Sequence, residues 1–187
     1  MKSLTRIFVA LLLAVGITFG GFQGHAKAAP LPINVSIDAD KTIEQIIGLI
    51  STSQDFSLVI ANQTPHTLRR VGAYNKLSNW PVGDVDSLKA VGQDWKENDN
   101  GRGYFTFASN YAIGDTGRNV QFGASWPPIG RRKINLCTRN EAGNSPAALC
   151  LDQMSSADDR NLENSKFSAQ ARLGRKDNTV LWTYLVK

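Results

Sequence analysis

The stretch SKFSAQARLGRKDNTVLWTYLVK, Ser165 to Lys187, decides the fold class. Phe167, Ala169, Ala171 and Leu173 alternate with Ser168, Gln170 and Arg172, and after GRKDN the residues Val180, Trp182, Tyr184 and Val186 alternate with their neighbours again. A period of two puts every second side chain on the same face of an extended strand. The Gly, Asp and Asn between the runs supply turn backbone, so an antiparallel hairpin is expected here.

Earlier segments repeat the theme. FSLVIANQT (Phe56–Thr64), Leu68–Tyr74, Gly103–Ser109, Asn119–Ser125 and Arg132–Cys137 are strand candidates, separated by NWPVGD, ENDNGRG and GDTG. Many short strands with turns between them, and no long helices alternating with them, predict an all-β, antiparallel β-sandwich. KTIEQIIGLI, Lys41 to Ile50, is the exception. Ile43, Ile46, Ile47 and Ile50 fall at i, i+3, i+4 and i+7, the apolar stripe of an N-terminal amphipathic α-helix. Asp40 is the expected N-cap, and Glu44 sits in the first turn, where the helix dipole favours negative charge. Such a stripe either packs on the sandwich or leaves it for lipid. Gly48 lowers the helix's intrinsic stability by about 1 kcal/mol relative to Ala.

The first residues predict export. Lys2 and Arg6 precede the apolar run Ile7–Phe19, which is shorter than the roughly 20 residues of a membrane-spanning helix. Ala26-Lys27-Ala28 offers a cleavage site. Residues 1–28 are therefore expected to be a signal peptide, 29–55 an N-terminal amphipathic segment and 56–187 the sandwich domain of a secreted protein. The chain has 21 Lys and Arg against 16 Asp and Glu, and without Lys2, Arg6 and Lys27 the balance falls to 18 against 16, a net charge of +2. Only GRRK, Gly130 to Lys133, approaches a basic cluster, so nucleic acid is not an expected partner. Cys137 and Cys150 are the only cysteines. In an oxidising compartment such a pair closes a bridge, worth about 3 kcal/mol for a loop of about 15 residues. Neither a metal nor a cofactor is expected.

Three passages resemble the actinoporins and their relatives, secreted pore-forming toxins built on a β-sandwich. VSIDADKTIEQIIGLISTSQDFSLVIANQT (35–64) is similar to that family's inserting segment and first core strand, NYAIGDTGRNVQFGASWPP (110–128) to its central passage with a Ser-x-Pro element, and SKFSAQARLGRKDNTVLWTYLVK to its final hairpin. The resemblance implies binding to membrane lipid, insertion of Ile43, Ile46, Ile47 and Ile50, and assembly of several copies into a pore. It also implies a headgroup site at Ser125 and Pro127. The family's Tyr-rich choline cage and its Arg-Gly-Asp tripeptide are missing here. Trp126 joins this site as an interfacial anchor, a role Trp favours at the boundary of water and lipid, and Arg131, Arg132 and Lys133 join it as contacts for an anionic surface. Length limits insertion: ten helical residues span about 15 Å, half of the roughly 30 Å hydrocarbon thickness. APLPINVSID would have to join them, and Pro30 and Pro32 oppose a backward extension.

Fungal lectins share that fold and bind sugar, so a glycan partner is the alternative, with YNKLSNW contributing Tyr74, Asn75, Asn79 and Trp80. Catalysis is not expected. Past residue 28, His66 is the only histidine, in the turn TPHT, and no Gly-x-Ser-x-Gly, His-Glu-x-x-His or phosphate loop occurs. Paired carboxylates such as Asp84 and Asp86, or Asp158 and Asp159, have the chemistry of an acid and a base, but carboxylates are abundant on protein surfaces.

Overall fold

The computed structural model describes residues 31–75, 79–96 and 104–187. The expected signal peptide, residues 1–28, lies outside them. In chain order the described elements are β1 (Leu31–Ser36), α1 (Ile43–Leu49), β2 (Phe56–Asn62), β3 (Leu68–Asn75), β4 (Lys89–Trp95), β5 (Phe105–Ile113), β6 (Asn119–Trp126), β7 (Lys133–Thr138), α2 (Asn144–Asp152), β8 (Asp159–Glu163), β9 (Ser168–Lys176) and β10 (Thr179–Val186). The protein is mostly β-strand. Six strands form one sheet in the order β1-β4-β2-β10-β9-β8, and four form the other in the order β3-β5-β6-β7.

Alternation along the central strands sorts their side chains into two cores. Phe56, Leu58 and Ile60 of β2, with Val180, Trp182, Tyr184 and Val186 of β10, face the four-stranded sheet and meet Phe105, Phe107, Tyr111 and Phe122. Val59, Ala61 and Leu185 point the other way, beneath α1, where Ile33, Ile37, Ile43, Ile46 and Ile50 cover them. At the far side of the molecule α2 packs Ala147 and Leu151 on Ala108. The Cys137–Cys150 disulfide fastens α2 to β7, and Asn135 Nδ2 donates to the Cys150 carbonyl at 2.7 Å. Gly72 permits the close approach of the turn before α2: a Cβ there would lie 2.0 Å from the Gly143 carbonyl oxygen.

Several polar groups in this interior are paired, although the Ser109 and Thr183 hydroxyls are buried without a partner. Asn62 ends β2 by donating from Nδ2 to the carbonyls of His66 and Val85, while its Oδ1 accepts from the Thr64 amide and hydroxyl. Trp80 Nε1 donates to the Tyr111 hydroxyl at 2.9 Å, which in turn donates toward the Val82 carbonyl at 2.8 Å. The Tyr184 hydroxyl donates to the Gly123 carbonyl at 2.6 Å.

Four expectations are corrected. The sandwich is not wholly antiparallel: β2 and β10 pair parallel, from Val180 opposite Phe56 to Val186 opposite Asn62, whereas the other neighbours are antiparallel. Leu31–Ser36, within the segment expected to lie outside the sandwich, is a strand of it, because β1 pairs with β4 from Leu31 opposite Asp94 to Ser36 opposite Lys89. The N-cap of α1 is Thr42, not Asp40; Thr42 and Gln45 form a reciprocal capping box, whose Thr-x-x-Gln spacing satisfies two otherwise orphaned amides. Within the segment read only as a disulfide-closed loop, residues 144–152 are helical.

Burial holds the Tyr111 and Tyr184 phenols above their ordinary value of 10. A raised folded-state pKa stabilises the fold below the unfolded-state value and is lost as pH rises past it. Stability should therefore decline above about pH 10, by roughly 1.4 kcal/mol per pH unit for each of the two tyrosines. Denaturant titrations across that range check this, and Tyr184→Phe should flatten the decline.

Candidate functional site

At one end of the sandwich β2, β5, β7 and β10 begin and β4, β6 and β9 finish. Aromatic rings close the core there. Phe56 stacks on Trp95 at 5.1 Å and on Phe105 at 5.2 Å and takes the edge of Trp126 at 5.4 Å; Trp126 lies 6.1 Å from Trp182. Arg132 places its guanidinium carbon 3.9 Å from the centroid of the Trp126 ring, a cation–π contact that fixes both groups. Trp126 is thus half-buried, with one side on the core and the other under Arg132.

From Trp126 the chain runs outward through Pro127 and Pro128 and returns at Gly130, whose φ of +101° suits glycine alone. At the tip stands Ile129, 90% exposed, followed by exposed Arg131 and by half-buried Arg132 and Lys133. Beside this loop opens a cleft of about 720 Å³ lined by Tyr104, Trp126, Pro127, Arg131, Arg132 and Arg175, among others. An apolar tip flanked by guanidinium groups can enter the boundary layer of a lipid surface while its charges stay among the headgroups.

Not every residue expected here is placed here. Ser125 is buried, and its hydroxyl is 3.0 Å from that of Thr106. Alternation puts it on the side of the strand away from the cleft, so it does not offer a headgroup contact. The expected glycan platform also loses its ring, since Trp80 is buried against Phe107 and Tyr184. Tyr74, Asn75 and Asn79 remain exposed, with Asn75 Nδ2 donating to Asn79 Oδ1. Asp84 accepts from the Arg70 amide and Asp159 pairs with Arg172. Among the described residues no cluster of His, Cys, Asp or Glu could hold a metal.

Helix α1 buries Ile43 and Ile46 and half-buries Ile47, its C-cap Ile50 is buried as well, and Leu49 is exposed. With β1 before it and β2 after it, the helix is tethered on both sides. Charged contacts from the β9–β10 hairpin hold its two ends. Arg172 bridges Glu44 and Asp159. The Glu44 carboxyl is held below its usual range first by its own backbone amide, then by Thr42 and, more weakly, by Arg172. Lys176 Nζ donates to the carbonyls of Ile50, Gly48 and Ile47 at 2.6, 2.8 and 3.2 Å. Sequence reasoning missed Arg172, Arg175, Lys176 and Ile129. Only Ile129 carried a signal, being an isolated large apolar residue between Pro-Pro and Gly, where turn formers hold it out of any strand.

Compared with protein-family models and with curated proteins, the sequence gives no match.

Burial separates the two isoleucine sites experimentally. Ile46→Ala, on the buried face of α1, should cost about 2–5 kcal/mol, whereas Ile129→Ser should change stability by no more than about 0.5 kcal/mol. Chemical denaturation of the two variants measures both.

Proposed function

We propose that this is a secreted, non-enzymatic, membrane-binding protein of actinoporin-like type, which attaches to lipid through the Trp126–Lys133 loop and then forms pores as several copies. Ile129 carries the proposal. A large aliphatic side chain held 90% exposed between Pro128 and Gly130 is worth about 1.5–3 kcal/mol when it enters an apolar phase. Each arginine near an anionic surface adds about 1 kcal/mol. Ile129, Arg131 and Arg175 together give weak, reversible attachment, which several copies on one membrane strengthen.

The inserting element in this proposal is α1 with β1. None of the buried residues of the core between the sheets comes from residues 31–55, so that segment can leave without dismantling it. The edge position of β1 supplies the missing length: Leu31–Ile50 as one helix would span about 30 Å, the thickness of the hydrocarbon layer. Pro32 lies in the first turn of such a helix, where proline is tolerated. Among the described residues no helix as folded is long and apolar enough to cross a membrane, so insertion requires this refolding. The alternative, a glycan-binding protein of the same fold, rests on exposed Tyr74, Asn75 and Asn79.

Flotation with anionic vesicles tests attachment: Ile129→Ser combined with Arg131→Ser should reduce the bound fraction severalfold, and high salt should weaken the parent protein's binding. Release of a trapped dye tests the pore. A second disulfide engineered between α1 and β10 should leave binding unchanged and stop release. Release at the parent rate from the locked protein would overturn the inserting role, and glycan binding without vesicle binding would favour the alternative.

A further inference from the structure

Lys176 occupies an unusual position. Its ammonium reaches from the end of β9 to three carbonyls at the C-terminus of a helix more than a hundred residues earlier in the chain. The last carbonyls of any helix lack intrahelical partners and carry the negative end of the helix dipole. Lys176 supplies hydrogen bonds, at Ile47 in addition to the one its carbonyl accepts from the Ile50 amide, and the positive charge, because α1 has no basic residue in its own last turn. At seven residues α1 is too short to persist without outside support.

The residue before it points elsewhere. Successive side chains on a strand alternate between faces, so while Lys176 lies against the helix, Arg175 lines the cleft beside Trp126 and Arg131. Two consecutive residues of one hairpin therefore touch the lipid-facing cleft and the helix cap. Resting on the proposed membrane role, we infer that this hairpin is a catch released by anionic phospholipid: one phosphate engages Arg175 in the cleft and seats the hairpin on the surface, where neighbouring headgroups draw Lys176 from the α1 carbonyls.

The exchange has a physical direction. Lys176 trades neutral carbonyl acceptors for anionic phosphate oxygens, which add the attraction of opposite charges to bonds its ammonium already makes. Away from a membrane no such acceptor is at hand, and the carbonyls keep the ammonium. A bilayer with net negative charge concentrates cations at its surface, whereas a zwitterionic bilayer has phosphates without that field. Once Lys176 has turned, α1 keeps its apolar packing and the exposed Glu44–Arg172 pair, the latter worth at most about 1 kcal/mol.

Hydrogen exchange at the α1 amides reads the catch directly. In solution, Lys176→Met should exchange these amides about tenfold faster than the parent while β2 and β10 stay protected, and Lys176→Arg, which keeps the charge, should stay close to the parent. Bound to vesicles of phosphatidylglycerol, the parent should lose α1 protection to the level of Lys176→Met; vesicles of phosphatidylcholine should leave it protected. Arg175→Gln should bind anionic vesicles less and retain α1 protection on those it does bind. If Lys176→Met is as protected as the parent, or if the parent keeps its α1 protection while bound to phosphatidylglycerol, the catch is overturned. A parent protein that binds no vesicle would overturn the membrane proposal, and the release step with it.

Discussion

Strands β2 and β10 have no solvent-facing side chain at any position, and most of the architecture follows from that. A sheet buried on both faces at its centre needs two covers. The four-stranded sheet provides one through an aromatic core, and α1 with its flanking residues provides the other. Parallel pairing suits the two strands for the same reason, since parallel strands are found where both faces are covered. The helix is therefore part of the sheet's closure, and any function that moves it must do so against the burial of Val59, Ala61 and Leu185.

The two ends of α1 are secured differently from its middle. The middle is apolar packing, which is strong in water and indifferent to charge. The ends are held by Gln63, whose Nε2 donates to the carbonyls of Asp38 and Lys41 at 2.7 and 2.9 Å, and by the cations of the β9–β10 hairpin. Beneath the chain that follows the helix the face turns polar: Asp94 is buried, accepting from the Ser57 hydroxyl and from the Ser53 amide at 3.0 Å. That linker is anchored by hydrogen bonds rather than by area, which makes its attachment more directional and easier to exchange for other polar partners.

Much of the strand pattern was legible because inward residues are large and outward ones often polar. The run from Phe167 to Leu173 is of this kind, while the strand starting at Phe56 and the one ending at Val186 showed instead as apolar runs between turn residues. β4, KAVGQDW, was not legible, since Ala, Gly and Asp take its inward positions on the helix-covered face. β8, DRNLE, is a short polar edge strand, and β1 carries Pro32. The helix at 144–152 did carry a signal, Pro near the start followed by Ala-Ala-Leu, but the cysteine pair around it suggested a loop. The candidate site was legible as a loop, Trp126 to Lys133, and not as a surface. Which of its residues face solvent depends on the strand's phase, and that phase buried Ser125 and left Ile129 at the tip. Trp80 illustrates the same limit: its ring goes inward because Tyr111, distant in sequence, offers a hydroxyl at hydrogen-bonding distance from its indole nitrogen. The contacts of Lys176 with α1 join positions 126 to 129 residues apart, a separation over which local patterning carries no information.

The edge position of β1 gives the molecule a mechanical grain. A force applied at Leu31 opens the β1–β4 ladder one residue pair at a time, because an edge strand is held from one side only. The same force then meets α1, and after it β2, which is gripped between β4 and β10. There the chain can no longer be peeled and must be sheared along its whole length at once. Residues 31–55 thus form a tear strip with a built-in stop, and traction on the N-terminus would extend the chain by a fixed amount before the sandwich itself began to yield.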